Sequence, residues 1–411
     1  MPRLETSKLA LVIEGDAASR EAAVPALGAL GFTVLAPVPE SDWFDQVLAT
    51  APDCLLLDQA LCQQRGRGAI ESIKRQGGLA ETEIILWSAD ASFESRALGY
   101  ALGADEWVAR PYGIEELERS LSLLRRFELT FWGVRGTLPI PGRRTLQYGG
   151  NTSCLSLLIA RDRRFVFDAG TGMKALSDEF ARTTGGRFEG RILITHPHWD
   201  HFITLPFFGP LYIPENHITI QGPAQGDRSI ERLISEQMDG TFFPITVEAF
   251  KAEVDYQDLT EGTYCLDGVQ FMAKRLRHPG YCLGYRVAHK GRSIAYVTDN
   301  ELGPSDASSD DFQRDLIEFL RNVDVLVHDT TYFDGEYPSK VNWGHSSVGQ
   351  VTRLAHQAGA KHLYLFHHDP DHGDTDIERK LEIAEALLAD WNSSTRCHIA
   401  AERMLVRVDR L

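Results

Sequence analysis

Short apolar runs alternate with helix-like stretches through the first third of the chain. Leu9 to Ile13 is apolar and is followed by Glu14-Gly15-Asp16, then by a helical run from Ala18 to Leu30. Phe32 to Ala36 reads as a second strand and Cys54 to Leu57 as a third, ending at Asp58. Ile84 to Trp87 leads to Ser88, and Trp107 to Ala109 leads to Arg110-Pro111. Strands alternating with helices predict a doubly wound parallel sheet with helices on both faces. Polar residues at the strand C-termini then gather at one end of the sheet, where its ligands bind. Ile114 to Phe127 has a helical period and closes this unit, with Arg125 and Arg126 where the helix dipole favours cations.

From Glu128 the texture changes to strands and glycine-rich turns, which predicts two domains, 1–127 and 128–411. Thr130 to Thr137 precedes Gly149-Gly150-Asn151-Thr152, then Cys154 to Ile159 and Phe165 to Phe167 read as strands. Asp168-Ala169-Gly170-Thr171-Gly172 opens a helix through Phe180. Two β-rich stretches, each followed by helix, predict an α/β sandwich with a site at the sheet edges.

One apolar run, Arg191 to Ile194, ends in Thr195-His196-Pro197-His198-Trp199-Asp200-His201. Pro197 opposes regular pairing, so these polar residues are expected on a loop at a strand's C-terminal end. His196 and His198 are spaced to clasp one metal ion, while Asp200 and His201 can face a second. A lone histidine is more often a backbone-bonded polar residue. Four ligand-type side chains in six positions reverse that judgement.

Composition narrows the class without changing it. With 411 residues, 43% hydrophobic and 24% charged, the chain is ordinary for a globular protein. A formal charge of −16 argues against a large non-specific nucleic-acid surface, although bound metals would reverse the local field for a small anion. The six cysteines are scattered with no C-x-x-C pair, as in a reducing compartment. The N-terminus lacks a signal pattern and no apolar run approaches membrane-spanning length, so a cytoplasmic location without a membrane partner is expected.

The first unit resembles the receiver domain of two-component response regulators. Pro52 to Asp58 resembles the strand ending in the phospho-accepting aspartate, Ser88 the hydroxyl position, and Gly103 to Pro111 the segment ending in lysine-proline. The departures carry weight: Gly15 stands where a second magnesium-holding acid belongs, and Arg110, a planar fork, replaces the lysine. The resemblance therefore implies a degenerate receiver for docking or dimerisation, with a sensor kinase or partner protein and phosphorylation of Asp58 as the alternative.

The region from Phe131 onward is similar to the metallo-β-lactamase-fold hydrolases, on His196-x-His198-x-Asp200-His201 after Asp168-Ala169-Gly170-Thr171-Gly172. The Phe-Trp-Gly-Val-Arg-Gly opening and Gly-Gly-Asn-Thr place it nearest the phosphodiesterase and tRNase Z-type branch. That resemblance implies an αββα sandwich and two divalent ions, zinc in first place with manganese or iron as alternatives. It implies His196, His198 and His278 on one ion, Asp200, His201 and His367 on the other, and Asp299 between them. Neighbouring side chains on a strand point to opposite faces, so only one of His367 and His368 should ligate, and the resemblance favours His367, at the position immediately after the strand. Asp168 and Asp329 are expected to hold ligands by hydrogen bonds rather than to ligate. Gly344-His345-Ser346-Ser347 resembles the segment that supplies a histidine in this branch, which makes His345 the candidate general acid alongside Asp200 and Asp299 at the catalytic centre. The helix-capping alternative for His345 is weaker, since serine caps at least as well.

The expected function is hydrolysis of a small, cyclic-nucleotide-like phosphodiester through a metal-held hydroxide. The alternatives are a nuclease, a lactone or thioester hydrolase, and a non-catalytic adaptor with structural metals. A tRNA-processing role is disfavoured by the acidic charge and the lack of an evident glycine-rich arm.

Overall fold

The computed structural model describes residues 8–37, 42–66, 68–76, 79, 82–241, 243–303 and 311–411. Residues 1–7, part of the stretch on which the expectation about a signal pattern falls, lie outside the described residues. The chain divides into two compact units, Met1–Arg126 and Phe127–Leu411.

In the first unit, β1 (Lys8–Ile13), α1 (Ala17–Ala29), β2 (Phe32–Leu35), α2 (Trp43–Thr50), β3 (Cys54–Asp58), α3 (Gln59–Arg65) and α4 (Ala69–Lys74) follow in order. β4 (Glu83–Ser88), α5 (Phe93–Ala101), β5 (Glu106–Ala109) and α6 (Ile114–Arg125) complete it. The five strands are all parallel in the order β2-β1-β3-β4-β5, the doubly wound arrangement. Buried on both faces, β3 and β4 read as unbroken apolar runs, as parallel strands do. Helix starts are set by side-chain caps: Asp16 accepts from Ser19 N before α1, and Ser92 accepts from Ser95 N before α5.

Phe127, placed at the end of the first unit's last helix by its periodicity, instead begins a strand. Helix α6 ends at Arg125, and Phe127 pairs with Ile159 and is fully buried in the second unit's core. A bulky apolar residue gains more from that core than from one more exposed helical position.

The second unit opens with β6 (Phe127–Gly133), β7 (Cys154–Ile159), β8 (Arg163–Phe167), α7 (Met173–Thr184), β9 (Glu189–Leu193) and α8 (Trp199–Phe202). Next come β10 (His217–Gly222), α9 (Ile230–Gln237), β11 (Glu253–Asp258), β12 (Gly262–Leu266), β13 (Val269–Arg275), β14 (Leu283–His289) and β15 (Arg292–Val297). It closes with α10 (Asp311–Leu320), β16 (Val325–Asp329), α11 (Val348–Ala358), β17 (His362–Phe366), α12 (Asp374–Asp390), β18 (Arg396–Ile399) and β19 (Leu405–Arg407). Two seven-stranded sheets result, β11-β10-β9-β8-β7-β6-β19 and β12-β13-β14-β15-β16-β17-β18.

Their inner faces meet in an aromatic core, with Phe165 and Phe271 rings 4.8 Å apart and Phe167 5.6 Å from Tyr285. Strands β6 and β13 alternate buried and accessible residues, the period expected of half-covered strands. A second apolar layer joins the outer face of one sheet to α7 and α9, and a third joins the other sheet to α10, α11 and α12. The unit is an αββα sandwich. No helix among the described residues is long and apolar enough to cross a membrane.

Candidate metal centre

The functional side chains sit where strands of both sheets run out. Asp168 follows β8, Thr195 to His201 follow β9, Asp299 follows β15, Asp329 ends β16 and His367 follows β17. Three of these, Asp168, Asp299 and His367, adopt positive φ of 59°, 21° and 55°. That backbone costs about 1–3 kcal/mol at a non-glycine residue, and here each turn aims a polar side chain into the cleft. The loop expected after Pro197 is shorter than anticipated. His198 is extended at φ −69°, ψ 152°, and the next four residues form the single turn α8, which carries Asp200 and His201. Proline stops the strand but leaves the residues after it free to turn helical.

The side chains gather into two sets that share one carboxylate. His196 Nε2 and His278 Nε2 each lie 3.0 Å from His198 Nδ1, and they stand 3.4 and 3.6 Å from Asp299 Oδ2. On the other side, His201 Nε2 and His367 Nε2 are 3.2 Å apart, at 3.1 and 3.0 Å from Asp299 Oδ1. Asp200 Oδ2 lies 3.2 and 3.1 Å from the same two nitrogens. All seven residues named from the sequence are thus together. His368, the competitor of His367, belongs to neither set and is fully buried, with neither ring nitrogen hydrogen-bonded among the described residues.

In three of the rings the distal nitrogen is occupied, which leaves the inward one to present a lone pair. His201 Nδ1 donates to Asp168 (2.8 Å), His278 Nδ1 donates to the Gly344 carbonyl (3.0 Å), and His367 Nδ1 lies 3.2 Å from Thr331 Oγ1. Metal-ligating histidines are oriented in this way. Burial lowers the pKa of His196 and His198, and takes that of His278 down to about 4, so these rings are neutral and able to ligate. Burial also opposes the charge of Asp200 and Asp299, but the surrounding histidines outweigh it and hold both well below the usual carboxylate range. Among the described residues, the ion-pair partners of Asp168, Asp200, Asp299 and Asp329 are all histidines. Burial also opposes the charge of His201, but Asp299, Asp200 and Asp168 around it outweigh that and raise its pKa well above the usual imidazole range. Imidazoles facing buried carboxylates form a donor set that suits divalent cations, which would take the place of that proton.

His345 flanks this cluster. Its ring stacks on His367 at 5.1 Å, and Nδ1 donates to Asp329 at 3.0 Å, leaving Nε2 for another partner. Burial disfavours its charge, yet Asp329 and then Asp299 overcome that and raise its pKa to about 9. Asp329 also accepts from Thr331 N and Oγ1 and from Asn300 N. His345 does not cap α11: Gln350 accepts from Ser347 N at that helix start.

Several supporting residues went unread in the sequence. Glu301 accepts from Tyr337 OH, Asn342 N and Gly344 N, and so fixes the segment that leads to His345. Lys380 is fully buried and donates to the carbonyls of Thr330 and Thr331; burial lowers its pKa to about 7. Its signal was available, because a lysine stands on the apolar stripe Ile377, Ala384, Leu388 of α12. Arg135, from the Phe-Trp-Gly-Val-Arg-Gly stretch, is also buried and donates to the carbonyls of Gly149 and His372. The Gly-Gly-Asn-Thr and Asp-Ala-Gly-Thr-Gly stretches are joined by reciprocal bonds between Thr152 and Thr171, each backbone N–H donating to the other hydroxyl.

Gly136 explains one fixed position in that opening. A Cβ there would lie 2.2 Å from His367 Cε1. Gly136→Ala is expected to displace His367, cost about 1–3 kcal/mol of stability and reduce bound metal. Elemental analysis beside a melting curve checks this, and full metal content in the variant would refute it.

In the first unit, Asp58 caps α3 by accepting from Ala60 N. Arg110 Nη1 donates to Ser19 Oγ at 2.6 Å, lies 3.3 Å from Asp16 and covers the Trp87 ring at 4.2 Å. Neither Asp58 nor Glu14 belongs to a converging metal-type cluster among the described residues. Burial and then Asp58 push Glu14 up to about 7, against a bond from Asp16 N that pulls it down. A carboxyl raised in the folded state stabilises fully below about pH 4.5 and loses that contribution as pH rises through 7. Glu14→Gln should therefore strengthen hydrogen-exchange protection of Lys8–Ile13 at pH 8 and leave it unchanged near pH 4. Equal protection at both pH values would refute the shift.

Residues 163–368, just over half of the chain, match the beta-lactamase superfamily domain. The chain belongs to that family, and its fold and buried His/Asp clusters make it a metal-dependent hydrolase of the metallo-β-lactamase fold. Ribonuclease Z of Halalkalibacterium halodurans is 26% identical over 279 residues, 58% of this chain and 87% of that protein. Ribonuclease BN of Cronobacter sakazakii is 26% identical over 307 residues, covering 63% and 95% respectively. Among solved structures, the metallo-beta-lactamase fold protein YhfI from Bacillus subtilis aligns with TM-score 0.50 at 17% identity, over 68% of this chain and 98% of that one. Unliganded yeast PDE1 aligns equally, TM-score 0.50 at 18% identity, over 68% and 99%. At such identities the two structures speak for the fold.

Proposed function

We propose that the second unit is a dinuclear phosphodiesterase that hydrolyses a small, cyclic-nucleotide-like phosphodiester. The observation that carries this reading is Asp299, whose two oxygens face two separate histidine sets while His345 and Asp329 stand on one flank. His196, His198 and His278 would hold one ion, Asp200, His201 and His367 the other, with zinc the best match to this donor set. Divalent ions held there would neutralise phosphoryl oxygens and acidify water for attack. The chain's own part is orientation and the proton. Asp168 fixes His201, the Thr137 N–H steadies Asp200 at 2.7 Å, and His345 protonates the leaving oxygen from Nε2 while Asp329 holds Nδ1.

Metal analysis coupled to turnover of bis(p-nitrophenyl) phosphate and a panel of cyclic nucleotides tests the reading. About two ions per chain with diester turnover are expected. Full metal without diester turnover, but with lactone or thioester cleavage, would overturn it. A nuclease is the second reading, favoured by relatives named ribonuclease Z and ribonuclease BN that align over 87% and 95% of their lengths. Cleavage of structured RNA in preference to cyclic nucleotides would select it.

The first unit, in this reading, is a receiver-like docking module for a partner protein or a second copy. Arg110 is engaged with Asp16 and Ser19, and Asp58 is spent on capping α3. Acetyl phosphate labelling that disappears in Asp58→Asn would instead make it a phosphorylated switch.

A further inference from the structure

A cavity of about 850 Å³ opens directly beside the metal-type cluster. It starts at the two loops that carry histidines of the first set, Pro197-His198 and Pro279-Gly280, and runs outward along α8 and α9. Its walls are aromatic and unusually accessible for such residues. Trp199 is 78% exposed and Phe207 55% exposed, and the Phe207 ring meets Phe243 edge to face at 5.2 Å. Large apolar side chains gathered around a concave opening mark a binding surface rather than core.

We infer that this cavity takes the planar aromatic arm of the phosphodiester that stays on phosphorus, a nucleobase or an aryl group of like size. This inference rests on reading the cluster as a phosphodiester hydrolase. Three observations select the occupant. First, His198 both lines the cavity and belongs to the cluster, so a group seated there is joined to whatever reacts at the metals. Second, His345 does not line it. The departing oxygen faces His345, which leaves the cavity to the group held through the other ester oxygen; in a cyclic nucleotide that is the base, whose nucleoside stays on phosphorus when the ring opens. Third, the polar groups are few and fit an aromatic heterocycle on an anion. Gln237 lines the wall and donates through Nε2 to the Phe202 carbonyl, while its Oε1 is buried without a hydrogen-bond partner among the described residues. Arg228 supplies a cation at the wall, with Glu236 at 3.5 Å to share it. Stacking on exposed aromatic faces tolerates any base, because each presents a π-face.

Gln225 belongs to the wall but not to recognition. Its amide is consumed by Tyr281, donating to the carbonyl at 2.7 Å and accepting from the N–H at 2.9 Å, and so it steadies the loop after His278.

The test uses the metal-loaded full chain and Phe207→Ala/Phe243→Ala, residues that ligate nothing. Bis(p-nitrophenyl) phosphate and methyl p-nitrophenyl phosphate share a leaving group and differ in the arm that remains. The variant is expected to lose about tenfold in kcat/KM on the first and to stay within about twofold on the second, with metal content unchanged. In calorimetry its affinity for adenosine 5′-monophosphate should fall about fivefold or more while that for orthophosphate holds. Phe207→Tyr should restore both. Equal losses on the two diesters, or unchanged nucleotide affinity, would overturn the assignment. If the parent chain hydrolyses no diester yet the variant still loses nucleotide affinity, the cavity assignment stands and the hydrolase reading falls. If the parent hydrolyses both diesters and the variant does so equally well, the hydrolase reading stands and the cavity assignment falls.

Discussion

His345→Ala should sharply slow hydrolysis of diesters with poor leaving groups while the chain keeps its full complement of metal. The expected loss on a cyclic nucleotide is about 10²–10⁴-fold, the range a positioned general acid supplies. The reason lies in the geometry: the ring is fixed by Asp329 through Nδ1 and by stacking on His367, while Nε2 is left for substrate. An alkoxide cannot leave without that proton, whereas p-nitrophenolate can. The loss on bis(p-nitrophenyl) phosphate should therefore be much smaller, and this leaving-group dependence separates an acid from a residue that merely holds the site together. Asp329→Asn should give an intermediate loss with the same dependence, because it keeps the ring but weakens the bond that orients it. A uniform loss across leaving groups, or loss of metal in His345→Ala, would remove His345 from the role of acid.

Much of this centre was legible in the chain because its chemistry is written locally. Four ligand-type residues within His196 to His201 announce themselves by spacing. His278, Asp299 and His367 came instead from resemblance, since they are far apart in sequence and only the ends of β15 and β17 bring them together. The choice of His367 over His368 came from resemblance too, and in the structure His367 joins the second set while His368 belongs to neither. Periodicity located the strands of the first unit to within a residue or so, but it ran one helix into Phe127, because a helical pattern does not reveal which core an apolar residue will join.

The unread residues share a property: their work is done through backbone. Glu301 and Lys380 bind N–H and carbonyl groups of segments that carry His345 and Asp329, and no spacing rule links them to those segments. Only Lys380 left a trace, as a charge where helix periodicity demands an apolar side chain. The backbone turns at Asp168, Asp299 and His367 left none, because aspartate and histidine visit positive φ more readily than most residues and betray nothing by their identity.

Asp168 is where fold and chemistry meet most closely, and its removal should be the most destructive single change in the second unit. The carboxylate is fully buried and accepts from Thr195 N (2.8 Å), Thr195 Oγ1 (2.9 Å), His201 Nδ1 (2.8 Å) and Tyr296 OH (2.7 Å). It thus ties β8 to the loop after β9 in one sheet and to β15 in the other. Asp168→Ala leaves all of these donors without an acceptor inside the sandwich. Breaking a buried hydrogen-bonded charge network in this way costs about 3–5 kcal/mol. It also frees His201 to rotate, and loss of such a partner weakens metal affinity by about 10–100-fold. The two effects can be read separately. With metal chelated, the denaturation midpoint of the variant reports the lost bonds alone; with metal restored, competition against a chromophoric chelator reports the freed ligand. Asp168→Asn is expected to fall between, because the amide can still accept from Thr195 but turns a donor toward His201 or Tyr296. Tyr296→Phe, which removes a single donor, should cost only about 1 kcal/mol. If chelated Asp168→Ala were as stable as its parent, the carboxylate would be a ligand in waiting rather than the tie between the sheets, and the metal titration would then show the larger change.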